Sequence, residues 1–470
     1  MSDNSITEIW EKYQRGVQHH RTVNMYAESE KFHRFYVGDQ WHGLKAGGED
    51  MPILNFIKPI GKYKVSMIAQ NSMAIVYSDM SGNGEVADVS EQLTEFAAAQ
   101  WEKSKMDTLM WQMIKRSFIT GDNYLYCFDD RGTSITEAPK PKLKHRLINK
   151  TNIHFADEQN PVISEQEYII IDERLPVAEI RKTAEKYGIP QTQLELIVSD
   201  DDTDTQIGEK PEQEVKTKLG KCTAVLYMKK TAEGIEFCRS TEKVIYQPTQ
   251  VIQGLDVYPV VGMRWEEIAG SARGGSAVKF MIPNQLEVNK TAARRALAVK
   301  RFAFPTLVYD GEHVANADKL SEVGASIKVR NLAGTPITGL ISYLNPAPIS
   351  ADAERLQNEI INVTRDLEGA GDAATGQVDP TKASGEAIKA ARDQAAVPLN
   401  EQIAAYKQLV EDIALMWYKV WVAYSPNGLQ VSYSQDGENI TEIIPREVLQ
   451  MLDINIKVDV SPIDPYSKIS

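Results

Sequence analysis

The acidic stretch 199–216 carries the most suggestive ligand spacing in the chain. Asp200, Asp202 and Asp204 alternate like the first three ligands of a calcium-binding loop. The glycine that should follow is missing, and Pro211 stands at the twelfth place, where a glutamate is needed. The stretch therefore reads as a solvated charge run on an exposed loop. Gly369-x-Gly371-x-x-Ala374 matches a dinucleotide fingerprint in letters, but that mechanism needs a strand before it and a helix opening on it. Here a helix precedes, so a mobile loop is the reading. The seven histidines include no HExxH or other close metal-ligand set. There is no Gly-x-x-x-x-Gly-Lys-Ser/Thr loop and no Gly-x-Ser-x-Gly elbow. Cys127, Cys222 and Cys238 lack CxxC spacing. Cys222 and Cys238 could face each other across a hairpin, yet free thiols in a reducing cell fit better. No catalytic, cofactor or metal residue is assigned, and a non-enzyme is expected.

Composition narrows the partners. With 52 Lys+Arg against 65 Asp+Glu, the 470-residue chain carries −13, which disfavours tight, non-specific nucleic-acid binding. Contact with DNA that must not adhere stays open. No run approaches the roughly 18 apolar residues of a membrane span, and the polar start 1–5 suggests no secretory signal.

The pattern along the chain is α+β. Helical stretches are expected over 5–36, 53–77 (with Pro59 near its start) and about 86–119, stopped by Gly121. Short β-type runs follow at 124–128, 168–171, 224–228 and 257–261, the last an edge strand because of Pro259. A small helix spans 177–187. A basic helix then covers 276–302, carrying Lys279, Lys290, Arg294, Arg295, Lys300 and Arg301, and ends at Pro305. A β-containing excursion (306–309, 327–329, 341–343) leads to a second helix reaching about 368. A glycine-rich stretch, 369–380, precedes a long helix over 384–424 in which Pro398 should make a kink. The tail has a hairpin at 435–438 and ends in β-type residues.

Helix, β excursion, returning helix, glycine-rich loop and long kinked helix make the informative order. It resembles the portal proteins, or head-to-tail connectors, of tailed bacteriophages. Three segments carry the resemblance: Phe35-Tyr36-Val37-Gly38-Asp39-Gln40-Trp41, Pro52-Ile53-Leu54-Asn55-Phe56-Ile57-Lys58-Pro59-Ile60, and Lys382-Ala383-Ser384-Gly385-Glu386-Ala387-Ile388. The resemblance as a whole covers most of the chain, roughly 10–424.

The resemblance implies a portal-protein fold: an α+β wing (1–275), stem helices at 276–301 and 350–368, and a small β-containing clip (302–349) between them. A tunnel loop (369–383), a long kinked helix leading to a helical crown (384–424), and a C-terminal hairpin and strand segment (425–470) would complete it. It further implies a homo-oligomeric ring of about twelve subunits at the capsid vertex of a virion, assembled in the host cytoplasm. Double-stranded DNA would pass through without tight binding. The large terminase subunit, major capsid and scaffolding proteins, and a head-tail adaptor would be partners, with no membrane and no cofactor.

Within that frame the tunnel loop is Gly369, Gly371, Asp372, Gly376, Asp379 and Lys382, and Pro398 is the kink. Tyr309, Asp310, Glu312 and His313 are the clip's docking residues. Of the stem's basic residues Lys290, Arg294, Arg295, Lys300 and Arg301, some would form shallow positive rings in the bore, or else Arg294, Arg295 and Arg301 bridge to acidic residues of a neighbouring subunit. The alternatives are another structural head-tail adaptor component and a metal-dependent nuclease using Asp200–Asp204.

Overall fold

The computed structural model describes residues 3–44, 50–80, 84–130, 142–200, 220–304, 306–322, 324–330, 336, 339–344, 351–371, 397–435 and 438–462. The chain is of mixed α+β class. Its packing divides into two units: unit 1 is Met1–Val37, Ile57–Phe280 and Asp372–Ser470, and unit 2 is Gly38–Phe56 and Met281–Gly371.

Unit 1 is built on antiparallel sheets. Strands β4 (Ile153–Phe155), β5 (Tyr168–Pro176), β6 (Lys221–Lys230), β7 (Gly234–Ser240) and β8 (Ile245–Gln253) form a five-stranded meander in that order. Alternation along β6 sends Val225 and Tyr227 to one face and Cys222 and Ala224 to the other. Helix α1 (Asp3–Thr22) covers the first face with Ile9, Tyr13 and Val17, spaced at helical intervals. The second face is covered by Ile180 and Ala184 of α6 (Val177–Lys186) and Leu194 of α7 (Gln191–Leu194). A three-stranded sheet, in the order β3 (Leu143–Asn149), β2 (Asp122–Asp129), β9 (Val260–Arg264), packs on α5 (Met106–Thr120). Helix α10 (Asn400–Tyr424) buries Tyr406, Val410, Ile413, Trp417 and Trp421, one stripe at three- and four-residue spacing.

Several local expectations give way to longer-range packing. The stretch 5–36 is two helices, α1 and α2 (Met25–Val37), separated at Asn24, which takes a left-handed φ of 54°. The third stretch is likewise α4 (Gly84–Lys103) and α5, broken at Lys105, with φ 52°. The stretch 53–77 is helical only in α3 (Ile57–Ala69), with Pro59 in its first turn. Residues beyond it form β1 (Asn71–Asp79), because the chain's last described strand, β16 (Ile454–Pro462), pairs with it in antiparallel register. That partner lies nearly 400 residues away, beyond any local pattern. The tail hairpin appears as β14 (Leu429–Gln435) and β15 (Glu438–Ile444), closing with Gln435 opposite Glu438. Cys222 and Cys238 do not face each other: Cys222 lies opposite Leu175 and Cys238 opposite Tyr227. All three cysteines are free and buried, and burial pushes Cys222 and Cys238 up to about 12, away from reactive thiolate.

Candidate functional site

In unit 2 the basic helix and its return are one antiparallel arm. Helix α8 (Ala277–Ala303) opens where the Ser276 hydroxyl accepts the Val278 N–H at 3.1 Å, an N-cap, and the boundary between units falls within this helix. Its partner is α9 (Ala351–Leu367). Asn284 donates to the Thr364 hydroxyl at 2.9 Å, and a turn or more along, Arg295 reaches Gln357 at 3.0 Å and Glu354 at 3.1 Å. These pairings keep a nearly constant sum of residue numbers, as antiparallel neighbours must. The same register continues into β12 (Thr306–Tyr309) and β13 (Ile341–Leu344), where Thr306 lies opposite Leu344. The expected strand at 327–329 is only a single bridge between Val314 and Val329.

Two of the three motif segments meet on α8. Gln285 and Asn289, one turn apart on the buried side, act as a ladder for the extended chain 54–56. Gln285 accepts the Phe56 N–H at 3.0 Å and donates to the Leu54 carbonyl at 2.9 Å. Asn289 accepts the Leu54 N–H at 3.1 Å and donates to Gln40 at 2.5 Å. Trp41 closes the strap by donating from Nε1 to the Pro52 carbonyl at 3.0 Å. Sequence reading singled out the strap, but not its two amide partners on the helix. An i, i+4 pair of carboxamides inside an apolar stripe was the available signal.

The basic residues of α8 are mostly held by carboxylates of the same chain. Arg294 pairs with Glu287 at 3.3 Å, Arg295 with Glu354, and Lys300 with Asp50 at 2.6 Å. Lys290 and Arg301 are exposed and have no ion pair among the described residues. In the excursion, Asp310 accepts the N–H of Glu312 at 2.9 Å and of His313 at 3.3 Å, and its other oxygen meets His313 Nδ1 at 2.9 Å. These bonds hold the Asp310 carboxyl below the usual carboxylate range, the Glu312 amide contributing most. Asp310 and His313 thus fix a turn, and Tyr309 beside it is exposed.

Gly369 ends α9 in the left-handed region, φ 68°, with the Ala370 N–H bonded back to the Arg365 carbonyl. Asp372, Gly376, Asp379 and Lys382 lie outside the described residues, as does 384–396 of the expected long helix. Pro398 sits in a single 3-10 turn, Val397–Leu399, directly before α10. Of the acidic run, Asp200 binds Arg174 and accepts the Thr223 N–H at 2.6 Å, which docks it on the sheet; 201–219 lie outside the described residues. Among the described residues, no group of three His, Cys, Asp or Glu could hold a metal ion.

Unit 1 contains a charged cluster that sequence reading missed. Arg273, sealed from solvent, donates to Glu158 through Nε and Nη2, each at 2.7 Å, and to the carbonyls of Lys150 and Ile153. Lys150 pairs with buried Asp122 at 2.9 Å, and His154 with Asp172 at 3.0 Å. His20 of α1 stacks on His154, ring centroids 4.5 Å apart, and accepts from Arg273. Burial lowers His20 to about 3, against the pull of Glu158. Burial by itself would raise Glu158, but the guanidinium beside it brings the carboxyl well below its ordinary value. Each carboxylate of the cluster has a partner within it, and through His20 the cluster ties α1 to the sheets. Its signal was Asp122-Asn123 opening an apolar strand and Arg273 ahead of two glycines.

Compared with models of known protein families and with curated proteins, the chain matches none.

Proposed function

We propose that this chain is a ring-forming phage portal protein: a non-enzymatic channel for double-stranded DNA and a platform for terminase and head-tail adaptor. In this reading unit 2 supplies stem and clip, with α8 and α9 as the stem helices. The observation that carries the reading is the arm itself, two antiparallel helices running on into a β ribbon with large apolar side chains left in solvent. Phe302 is 62% exposed, Phe304 81% and Leu367 79%. A monomer gains nothing from such exposure, whereas neighbouring copies in a ring would cover it. Basic residues already matched by carboxylates of their own chain also suit a wall along which DNA slides without adhering. The acidic net charge has the same effect.

Negative-stain imaging of the purified chain tests the reading. A hollow ring with a narrower stalk is the expected outcome. Compact particles of one or two copies, together with divalent-cation-dependent DNA cleavage, would favour the nuclease alternative instead.

A further inference from the structure

One cleft of unit 1 runs against the charge of the whole molecule. It has a volume of about 770 Å³ and is bordered by β3, β5, α6 and the end of α4. Five of its lining residues are basic (Lys103, Lys142, Lys144, Arg146, Arg239) and three are acidic (Asp130, Glu173, Glu179). Each of two carboxylates is shared by two cations: Asp130 by Lys142 and Lys144, and Glu173 by Arg146 and Arg239. The cleft therefore keeps a positive surplus in a chain of net charge −13.

The cations are ordered along a strand. Lys142, the residue before β3, and Lys144 and Arg146 within it occupy alternate positions, and their side chains are 64%, 54% and 49% exposed. Intervening His145 turns the other way, accepting from Trp417 Nε1 at 2.8 Å. All five residues from Lys142 to Arg146 line the cleft, with Phe128 of β2 opposite Lys144, so it takes in the strand's outer edge as well as the Lys144 face. β3 is an outer strand: it pairs with β2 on one side and, among the described residues, with no strand on the other.

We propose that this outer edge of β3 docks an extended acidic peptide of a partner protein as an added strand, its carboxylates at alternate positions facing Lys142, Lys144 and Arg146. Same-face residues on the added strand repeat at about 6.8 Å, matching the spacing of the three cations. Opposite charges across neighbouring strands are favourable, and main-chain bonds to an open edge add affinity independent of side chain. A nucleic acid fits less well, since it has no main-chain amides to pair with a strand edge. The proposal does not depend on the portal reading.

Fluorescence anisotropy of the full-length chain with a labelled peptide of alternating glutamate and threonine tests it. The peptide is compared with the same residues arranged as one glutamate block, and with versions N-methylated at every second amide in both registers. Alternation should bind about tenfold tighter than the block, and binding should weaken as salt rises. N-methylation should abolish binding in one register. Lys144→Glu combined with Arg146→Glu, both exposed positions, should abolish it while the melting temperature holds; Lys142→Glu gives an independent second variant. Equal binding of the block peptide, indifference to N-methylation in both registers, tighter binding of oligothymidylate, or no binding would each overturn the proposal.

Discussion

Unit 1 and unit 2 differ in what they bury. Unit 1 buries Trp265, Trp417 and Trp421 fully and pairs buried charges within the cluster around Arg273, while Met80, Phe280 and Met451 stay exposed. Unit 2 buries a hydrogen-bonded strap on α8 but leaves Phe302, Phe304 and Leu367 in water and holds its charges in exposed pairs. In the proposed function the next copy covers the side chains that unit 2 leaves exposed.

Breaking unit 1 should cost most. Arg273→Ala leaves Glu158 buried without its cation, while Asp122 keeps Lys150, and should remove about 3–5 kcal/mol, read as a large fall in the melting temperature. Acid should attack the same cluster. Below about pH 6.5 unfolded His20 takes up a proton that the folded protein refuses until about pH 3, so stability falls as pH falls through that window. Glu158 adds to the loss with the same sign, because its carboxyl is depressed in the folded state and protonates only after the unfolded one has. The slope from His20 is at most about 1.4 kcal/mol per pH unit, and His20→Gln should flatten it in melts above pH 5.

Unit 2 should respond more weakly and more locally. Gln285→Ala removes two bonds to the strap and should cost about 1–3 kcal/mol, seen first as faster hydrogen exchange of the Phe56 amide. Arg295→Ala should change monomer stability by less than about 1 kcal/mol, since its pair with Glu354 is solvent-exposed. A large loss of stability from Arg295→Ala, or none from Arg273→Ala, would erase the contrast between the units.

Much of this contrast was legible where the physics is local. The basic helix, the returning helix and two strands of the meander, β5 and β6, announce themselves by local pattern, and α8 runs within a residue or so of the expected span. What stayed hidden depends on distant partners. Ile75, Val76 and Tyr77 continue an apolar helical pattern, and only pairing with β16 makes them strand. Gln285 and Asn289 look like ordinary helix residues until the strap lies on them. Arg273, Glu158, Asp122 and His20 are scattered along the chain, and no spacing connects them. The strap itself was visible only as two motifs, with no hint that both would meet one helix.

Mass photometry of the wild-type chain beside a Phe302→Asp, Phe304→Asp variant tests the central claim most directly. The account predicts closed assemblies of many copies for the wild type and single 52.6 kDa chains for the variant, with the melting of unit 1 unchanged. Wild-type chains that stay single at every concentration, or a variant that assembles as well as the wild type, would contradict it.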